Sequence, residues 1–182
     1  IALRANITTN GITGYTTVTV TVNSLPDFTI DNGTPNPCLG NSSVFTILSP
    51  TGSTPFSYSW LPTAFLNTTT GDAVTVTPTS SGLFTYSATA TDVNTCTTTK
   101  EVSVNILPLT TITLSGNSST CTGISTNLSA SGADTYTWAG GPTPNASVAS
   151  HTPLTAGIYT FTVTGTDGNG CTNLSLVLLT AY

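Results

Sequence analysis

The stretch Gly157-Ile-Tyr-Thr-Phe-Thr-Val-Thr-Gly-Thr-Asp-Gly-Asn-Gly-Cys171 decides the fold of this 182-residue chain. Its first half alternates apolar residues with threonine, which is the period-2 pattern of a strand that buries one face. Asp167-Gly-Asn-Gly170 then supplies residues that tolerate a positive φ, as a tight hairpin turn requires. Cys171 closes the turn, and a return strand is predicted to begin with Leu174, Leu176 and Leu178.

The same pattern occurs twice more along the chain. One copy is Gly82-Leu-Phe-Thr-Tyr-Ser-Ala-Thr-Ala-Thr-Asp-Val-Asn-Thr-Cys96, and its return strand carries Val102, Val104 and Ile106. A weaker copy without a cysteine fills residues 1–24, with a predicted turn at Asn10-Gly11 between two apolar sets: Ala5 and Ile7, then Val18, Val20 and Val22. The dipeptide Leu-Pro follows the copy in residues 1–24 and the copy whose return strand ends with Ile106. We therefore expect a β-hairpin at 1–25 and two β-sandwich domains at 26–107 and 108–182.

Composition restricts the class of protein. Charged residues make up 5% of the chain and the net charge is −5, with Arg4 and Lys100 as the only strong cations. A nucleic-acid-binding surface needs clustered basic residues, so none is expected. No apolar run reaches the roughly 20 residues of a membrane span. Threonine is roughly a quarter of the chain and no helical periodicity occurs, so the sequence predicts an all-β fold.

Each sandwich is expected to contain about seven short strands separated by turns. In the first, a strand near residues 44–48 has an ambiguous inward face, either Val44, Thr46 and Leu48 or Phe45 and Ile47. An aromatic strand occurs in both repeats, with Tyr58, Trp60, Tyr136 and Trp138 at corresponding positions. Their alternation matches a buried face, so we predict core residues. The alternative is an exposed platform on which sugars stack.

Four cysteines, Cys38, Cys96, Cys121 and Cys171, allow three disulfide pairings. The repeat favours Cys38–Cys96 and Cys121–Cys171, one bridge inside each unit. A zinc site is the alternative, but no Cys-x-x-Cys pair occurs and His151 is the only histidine. Disulfides predict an oxidising location, so we expect a secreted, cell-surface or extracellular protein.

The sequence contains few residues that would support catalysis or metal binding. His151 lies beside a proline in a loop-like stretch, where an exposed histidine is expected and no catalytic triad motif accompanies it. The seven acidic residues are scattered. Asp92 with Asn94 and Asp167 with Asn169 bring oxygen atoms to turns, but calcium prefers several carboxylates, and these residue types favour turns in any case. We predict no enzyme, no metal and no cofactor.

The second repeat carries a recognisable set of residues: Cys121-Thr-Gly-Ile-Ser125, Ser131-Gly-Ala133, Tyr136-Thr-Trp138, and the stretch that ends at Cys171. This set resembles tandem Ig-like or PKD-like repeats of large secreted bacterial surface proteins and adhesins. In antibody domains the second cysteine lies within a strand, whereas Cys96 and Cys171 follow theirs. The resemblance implies exported modular stalks and adhesive surfaces without catalysis in the repeats.

These observations predict a non-enzymatic, rod-like extracellular protein, either a filament subunit or the stalk segment of an adhesin. Residues 1–24 could join subunits head to tail by adding strands to an open sheet edge of another molecule. Because Ile1-Ala-Leu-Arg4 reads as a strand in progress, we expect a chain that was processed or cut from a longer one. The alternatives are a carbohydrate- or surface-binding module and an accessory domain of a secreted hydrolase.

Overall fold

The computed structural model describes the backbone of residues 2–9, 12–141 and 146–182, and the side chains from residue 17 onward within these ranges. All regular structure in these ranges is β, which confirms the predicted fold class. The strands are β1 Ala2–Thr9, β2 Ile12–Thr19, β3 Asp27–Asp31, β4 Ser43–Thr51, β5 Ser57–Leu61, β6 Ala73–Val76, β7 Gly82–Thr91, β8 Thr97–Ile106, β9 Thr113–Gly116, β10 Ser119–Thr120, β11 Thr126–Ser131, β12 Thr135–Ala139, β13 Val148–His151, β14 Gly157–Thr166 and β15 Thr172–Ala181.

Strands β1 and β2 form an antiparallel hairpin, with Ala2 opposite Thr19 and Thr9 opposite Ile12. The predicted turn at Asn10-Gly11 lies outside the described residues, as do the side chains of Ala5 and Ile7. Among the described strands, β1 and β2 pair only with each other. The valines that follow the hairpin's first strand are exposed, namely Val18, Val20 and Val22.

The chain divides into two compact units. Unit 1 comprises Ile1–Pro35, Ser42–Thr77 and Leu83–Val104, and unit 2 comprises Asn36–Asn41, Pro78–Gly82 and Asn105–Tyr182. The predicted boundaries after residues 25 and 107 divide the chain into consecutive segments. In the structure, two short segments of the first repeat, Asn36–Asn41 and Pro78–Gly82, belong to unit 2. Those boundaries therefore stay predictions.

Unit 1 packs a sheet of order β3-β4-β6 against a sheet of order β5-β7-β8. Phe45 of the first sheet stacks on Trp60 of the second, with 6.1 Å between ring centroids, and meets Tyr86 edge-on at 5.7 Å. Phe45 and Ile47 are buried while Val44 and Leu48 are exposed, which settles the inward face of β4. This aromatic cluster is the centre of the unit 1 core.

Unit 2 packs a sheet of order β13-β11-β9 against a sheet of order β10-β15-β14-β12. Its core joins both sheets through Leu128, Trp138, Phe161, Val163 and Leu179. Seven strands form this repeat, and six, β3 to β8, form the first repeat. Both numbers, counted over the described residues, agree with the prediction of about seven short strands in each sandwich.

Candidate functional site

The β7–β8 and β14–β15 turns have the same hydrogen bonds. Asp92 Oδ1 accepts from the backbone N–H groups of Asn94 and Cys96, both at 2.9 Å. Asp167 Oδ1 accepts from Asn169 at 2.9 Å and from Cys171 at 2.8 Å. These carboxylates fix their turns by bonding to local backbone, which is a common role of aspartate in turns.

The strands that lead into the two turns also match. Along β7 and β14 the burial of successive residues is the same at all ten positions. Phe161 and Val163 face inward and alternate with threonines, as the period-2 pattern predicts. The sequence repeat is therefore a repeat of backbone and of buried face.

The predicted cysteine pairing is wrong. The structure has one disulfide, Cys38–Cys171, with 5.5 Å between the Cα atoms, and Cys96 and Cys121 are free thiols. The physical reason is the location of Cys38, which belongs to the short segment Asn36–Asn41 of unit 2, the unit that also contains Cys171. The sequence repeat identified equivalent cysteines but could not show which segments lie next to each other.

Backbone hydrogen bonds hold the segment around Cys38. The N–H of Leu39 donates to Leu107 O at 2.8 Å, and the N–H of Leu107 donates to Pro37 O at 2.9 Å. Cys38 and Leu107 thereby form a parallel β-bridge. This arrangement fixes the Cys38 backbone within disulfide reach of the β14–β15 turn.

The segment around Cys121 has the same pattern. The N–H of Thr122 donates to Tyr182 O at 2.9 Å, and the N–H of Tyr182 donates to Thr120 O at 3.0 Å. β10, immediately before Cys121, pairs in parallel with the end of β15. Cys121 is therefore the structural equivalent of Cys38, as Cys96 is of Cys171.

Three of the four predicted core aromatics are buried. Trp60 is 1% exposed, Trp138 7% and Tyr136 9%, while Tyr58 is half-buried. Each indole N–H donates to a backbone carbonyl, Trp60 to Gly71 at 3.0 Å and Trp138 to Ala146 at 2.8 Å. Side chains buried in this way cannot present a flat face to a sugar ring, so they offer no stacking platform.

His151 is not the exposed loop residue that the sequence predicts. It ends β13 opposite Thr126, half-buried, with its ring 4.8 Å from that of Phe161 and 5.1 Å from that of Tyr159. Its Nε2 is buried without a hydrogen-bond partner among the described residues. Strand pairing places the ring against the aromatic side chains of Tyr159 and Phe161 in unit 2.

Metal-binding clusters are likewise missing from the described part of the chain, where no three His, Cys, Asp or Glu side chains converge. Asp27 instead pairs with Lys100, with 2.6 Å from Oδ1 to Nζ. The hydrogen bond from Lys100 and the N–H of Phe28 hold the pKa of Asp27 below its ordinary value. In residues 2–9, 12–141 and 146–182 no helix is suited to spanning a bilayer.

The most unusual surface feature is an apolar stripe on β15. The leucines predicted to begin the return strand do so, but they lie on its outer face and are about equally exposed: Leu174 62%, Leu176 61% and Leu178 60%. The inner face is formed instead by Val177, Leu179 and Ala181. Exposed apolar patches of this kind mark interaction surfaces more often than single exposed leucines do.

The backbone edge of β15 is open beside this stripe. β10 covers only Thr180 and Ala181, and the N–H of Thr180 donates outward to Ser118 at 2.9 Å. Because hydrogen-bonding direction alternates along a strand, the N–H groups of Leu176 and Leu178 face the same open edge. Further along, the N–H of Leu174 is occupied by its neighbour, Asn173 Oδ1, at 2.9 Å. Within the described part of the chain, these two leucines therefore offer backbone N–H groups without a partner as well as apolar side chains.

A small groove runs along the open edge of unit 2. A cavity of about 120 Å³ lies between β9 and β15, lined on one side by Leu114 and Gly116 and on the other by Val177 and Leu178. The groove gives an incoming apolar side chain a place to enter between the two sheets. Open edge, leucine stripe and groove together form what we call the β15 edge site.

The first repeat lacks this site. Aligning the two turns places Thr99, Glu101 and Ser103 of β8 where β15 has its three leucines. Two of these side chains are tied to the neighbouring strand, Thr99 to Thr89 at 2.8 Å and Ser103 to Thr85 at 2.9 Å between oxygens. The leucines were placed in the return strand from the sequence without an assigned face, and the stripe was missed, although this contrast between the repeats was visible in the sequence.

Comparison with known proteins finds no matching family and no matching curated protein. Among solved structures, the chain is similar to the N-terminal eight Ig domains of Down Syndrome Cell Adhesion Molecule isoform 1.30.30, with a TM-score of 0.47 and 13% identity over 93% of this chain and 26% of that one. It is similar to fibronectin(III)-like modules of Clostridium thermocellum CbhA, with a TM-score of 0.41 and 12% identity over 85% and 94% of the two chains.

Drosophila N-cadherin EC1-4 gives a TM-score of 0.43 and 11% identity over 88% of this chain and 50% of that one. The chain spans about a quarter of the first of these structures. At such identities the likenesses say nothing about function.

Proposed function

We propose that this chain is a non-enzymatic extracellular structural protein, a subunit of a surface filament or the stalk segment of an adhesin of the bacterial type. Its units would be linked by strand addition, in which the hairpin of one molecule pairs with the β15 edge site of another. The observation that carries the proposal is the open edge of β15 with its row of exposed leucines.

The acceptor is unusually poorly protected. Natural edge strands are commonly shielded by charged side chains, proline or bulges. β15, Thr172–Ala181, contains no charged residue and no proline. A strand that docks here gains backbone hydrogen bonds from Leu176 and Leu178 and covers apolar side chains, which is how β-augmentation obtains its affinity.

The hairpin is a suitable donor. A two-stranded sheet is at best marginally stable in water unless it packs on something else. The hairpin pairs with no other described strand, and Val18, Val20 and Val22 leave apolar surface in solvent. The donor thus exposes apolar side chains, and the acceptor exposes apolar side chains together with the backbone N–H groups of Leu176 and Leu178.

Charge does not oppose this association. The chain carries two strong cations, and Lys100 is already paired with Asp27. β15 contains no acidic or basic residue, and Arg4 is the only charged residue in 1–24. Assembly by this route is therefore expected to depend weakly on salt, unlike association driven by ion pairs.

Deletion of residues 1–24 tests the proposal. A Cys96→Ser/Cys121→Ser form of the full chain, which keeps the Cys38–Cys171 disulfide, should self-associate with rising concentration in analytical ultracentrifugation, and the same form without residues 1–24 should stay a folded monomer. A matched control replaces Val18, Val20 and Val22 by threonine, which keeps β propensity while removing apolar surface, and should weaken association. Association that persists unchanged after the deletion would exclude this mechanism.

A further inference from the structure

The two free cysteines occupy positions whose structural equivalents are already joined. Cys38 is bonded to Cys171. Cys121 repeats the surroundings of Cys38, and Cys96 repeats those of Cys171. The chain therefore holds one completed bond and, separately, both halves of a second bond of the same kind.

The backbone around each half is already arranged for bonding. Cys121 follows β10 and lies beside Tyr182, as Cys38 lies beside Leu107, with the same pair of backbone hydrogen bonds in each case. Cys96 closes a turn in which Asp92 N–H donates to Cys96 O at 3.0 Å, as Asp167 N–H donates to Cys171 O at 3.0 Å. Each segment therefore has the backbone hydrogen bonds of its disulfide-bonded equivalent.

Exposure differs between the completed bond and the free halves. In the completed bond Cys171 is fully buried and Cys38 half-buried, whereas of the free thiols Cys96 is half-buried and Cys121 exposed. Apolar side chains beside the free thiols also lie in solvent, Ile124 at 59% and Tyr182 at 74% near Cys121, and Val93 at 57% in the Cys96 turn. The free halves thus carry an uncovered apolar surface as well as an accessible sulfur.

The order of the completed bond identifies the partner. It joins a cysteine early in one repeat to the turn cysteine of the repeat that follows in sequence. By the same rule, Cys121 of the second repeat would bond to the turn cysteine of whichever repeat comes next. In a head-to-tail assembly that repeat is the first repeat of another copy, and its turn cysteine, Cys96, is free. We propose that Cys121 of one molecule forms a disulfide with Cys96 of a second copy. This inference rests on the head-to-tail assembly proposed above and names its covalent link.

The bond forms by two thiol–disulfide exchanges, with a small-molecule disulfide such as oxidised glutathione as the oxidant. The Cys121 thiolate, having lost its proton to solvent, attacks one glutathione sulfur, and the other glutathione leaves as a thiolate. The Cys96 thiolate of the second copy then attacks the Cys121 sulfur of this mixed disulfide and expels the second glutathione. Two protein thiols are oxidised and one glutathione disulfide is reduced to two thiols.

Such a link propagates. Cys96 belongs to unit 1 and Cys121 to unit 2, so a contact that joins one to the other is heterologous and each added copy presents a new free thiol. Heterologous contacts that do not close into a ring give open filaments. The disulfide would therefore convert a reversible assembly into a covalent one.

Complementary serine variants test the proposal. The wild type, Cys96→Ser, Cys121→Ser and an equimolar mixture of the two variants are equilibrated with reduced and oxidised glutathione, then separated on denaturing, non-reducing gels. We expect a ladder for the wild type, monomers for each variant alone, and dimers without larger species for the mixture. Circular dichroism checks that each variant is folded, which is expected because neither residue is fully buried.

Mass spectrometry of mixed ¹⁴N and ¹⁵N wild-type chains identifies the bond. A Cys96–Cys121 peptide pair with one light and one heavy partner supports the proposal. Light–light and heavy–heavy pairs alone, or Cys121–Cys121 dimers of Cys96→Ser, would overturn it. Sedimentation of a Cys96→Ser/Cys121→Ser double variant, which keeps the Cys38–Cys171 bond, separates the two proposals. Association of this variant without a wild-type ladder means that only the disulfide proposal is wrong, and a wild-type ladder without association of this variant means that only strand addition is wrong.

Discussion

Asp92 Oδ1 accepts a hydrogen bond from the backbone N–H of Cys96 at 2.9 Å, and the same bond recurs between Asp167 and Cys171 at 2.8 Å. The two turns are closed alike although their sequences differ at the residue before each cysteine. Thr95 has a φ of 65° where Gly170 has 82°. The first turn therefore holds a β-branched residue in the left-handed region, a conformation that glycine adopts without steric cost.

Exchanging these two residues should have opposite effects. Relief of left-handed strain at Thr95→Gly exceeds the entropy that glycine adds to the unfolded chain, so we expect stabilisation of about 0.5–1 kcal/mol. Gly170→Thr should destabilise by about the same amount. Urea unfolding followed by circular dichroism measures both, and a loss of stability in Thr95→Gly would contradict the argument.

Loss of the disulfide should destabilise unit 2. Cys38 and Cys171 are 133 residues apart in sequence, so in the chain-entropy model Cys171→Ser lowers the free energy of unfolding by about 3–5 kcal/mol. Hydrogen exchange should show lost protection in β14 and β15. Cys96→Ser is the matched control at the equivalent position, and a comparable loss there would mean that Cys96 is bonded after all.

A charge on the β15 edge site should prevent association. Leu176→Glu gives β15 the glutamate that β8 has at the equivalent position, and the side chain is exposed, so folding should be unaffected. We expect the association constant to fall at least about tenfold, which is about 1.4 kcal/mol. Sedimentation in a Cys96→Ser/Cys121→Ser background, which keeps the Cys38–Cys171 disulfide, measures the constant. Ser103→Glu adds the same charge to unit 1 and should leave association unchanged.

The tryptophans should be shielded from solvent. Trp60 and Trp138 are at most 7% exposed, so acrylamide should quench their fluorescence several-fold less in the folded chain than in urea. Added oligosaccharides should leave the emission unchanged. Quenching equal to that of the unfolded chain, or a spectral response to a glycan, would restore the sugar-platform alternative.

The pair Asp27–Lys100 predicts a small pH dependence. The folded-state pKa of Asp27 is lowered, so its contribution to stability is present above the ordinary carboxyl pKa and is lost as the pH falls through the lowered value. NMR titration should find the midpoint of Asp27 below that of a free aspartate. In Lys100→Met the midpoint should move back up, and an unchanged midpoint would show that the ion pair does not form in solution.

Local pattern was enough to predict the strand pairs and turns around Cys96 and Cys171, because alternation and turn-forming residues act within a few positions. Local pattern was not enough to predict which face of β15 is buried, because both alternating sets of side chains are apolar. Leu174, Leu176 and Leu178 lie on one face, and Val177 and Leu179 lie on the other. Only the partner strand decides which set is buried.

The cysteine pairing failed for a related reason. Repeat equivalence correctly relates Cys38 to Cys121 and Cys96 to Cys171, but a bond depends on which backbone segments come within a few ångströms. Which segments come close together is decided by the packing of the whole unit. The sequence around Cys38 does not indicate that its segment belongs to unit 2.

The membership of Asn36–Asn41 in unit 2 has a practical consequence for anyone who dissects the gene. A fragment that starts at residue 108 looks like a whole module by sequence, yet it leaves Cys171 without its sulfur partner and Leu107 behind. Useful truncations of this molecule must keep both repeats, because the disulfide of the second repeat needs Cys38, which comes from the first.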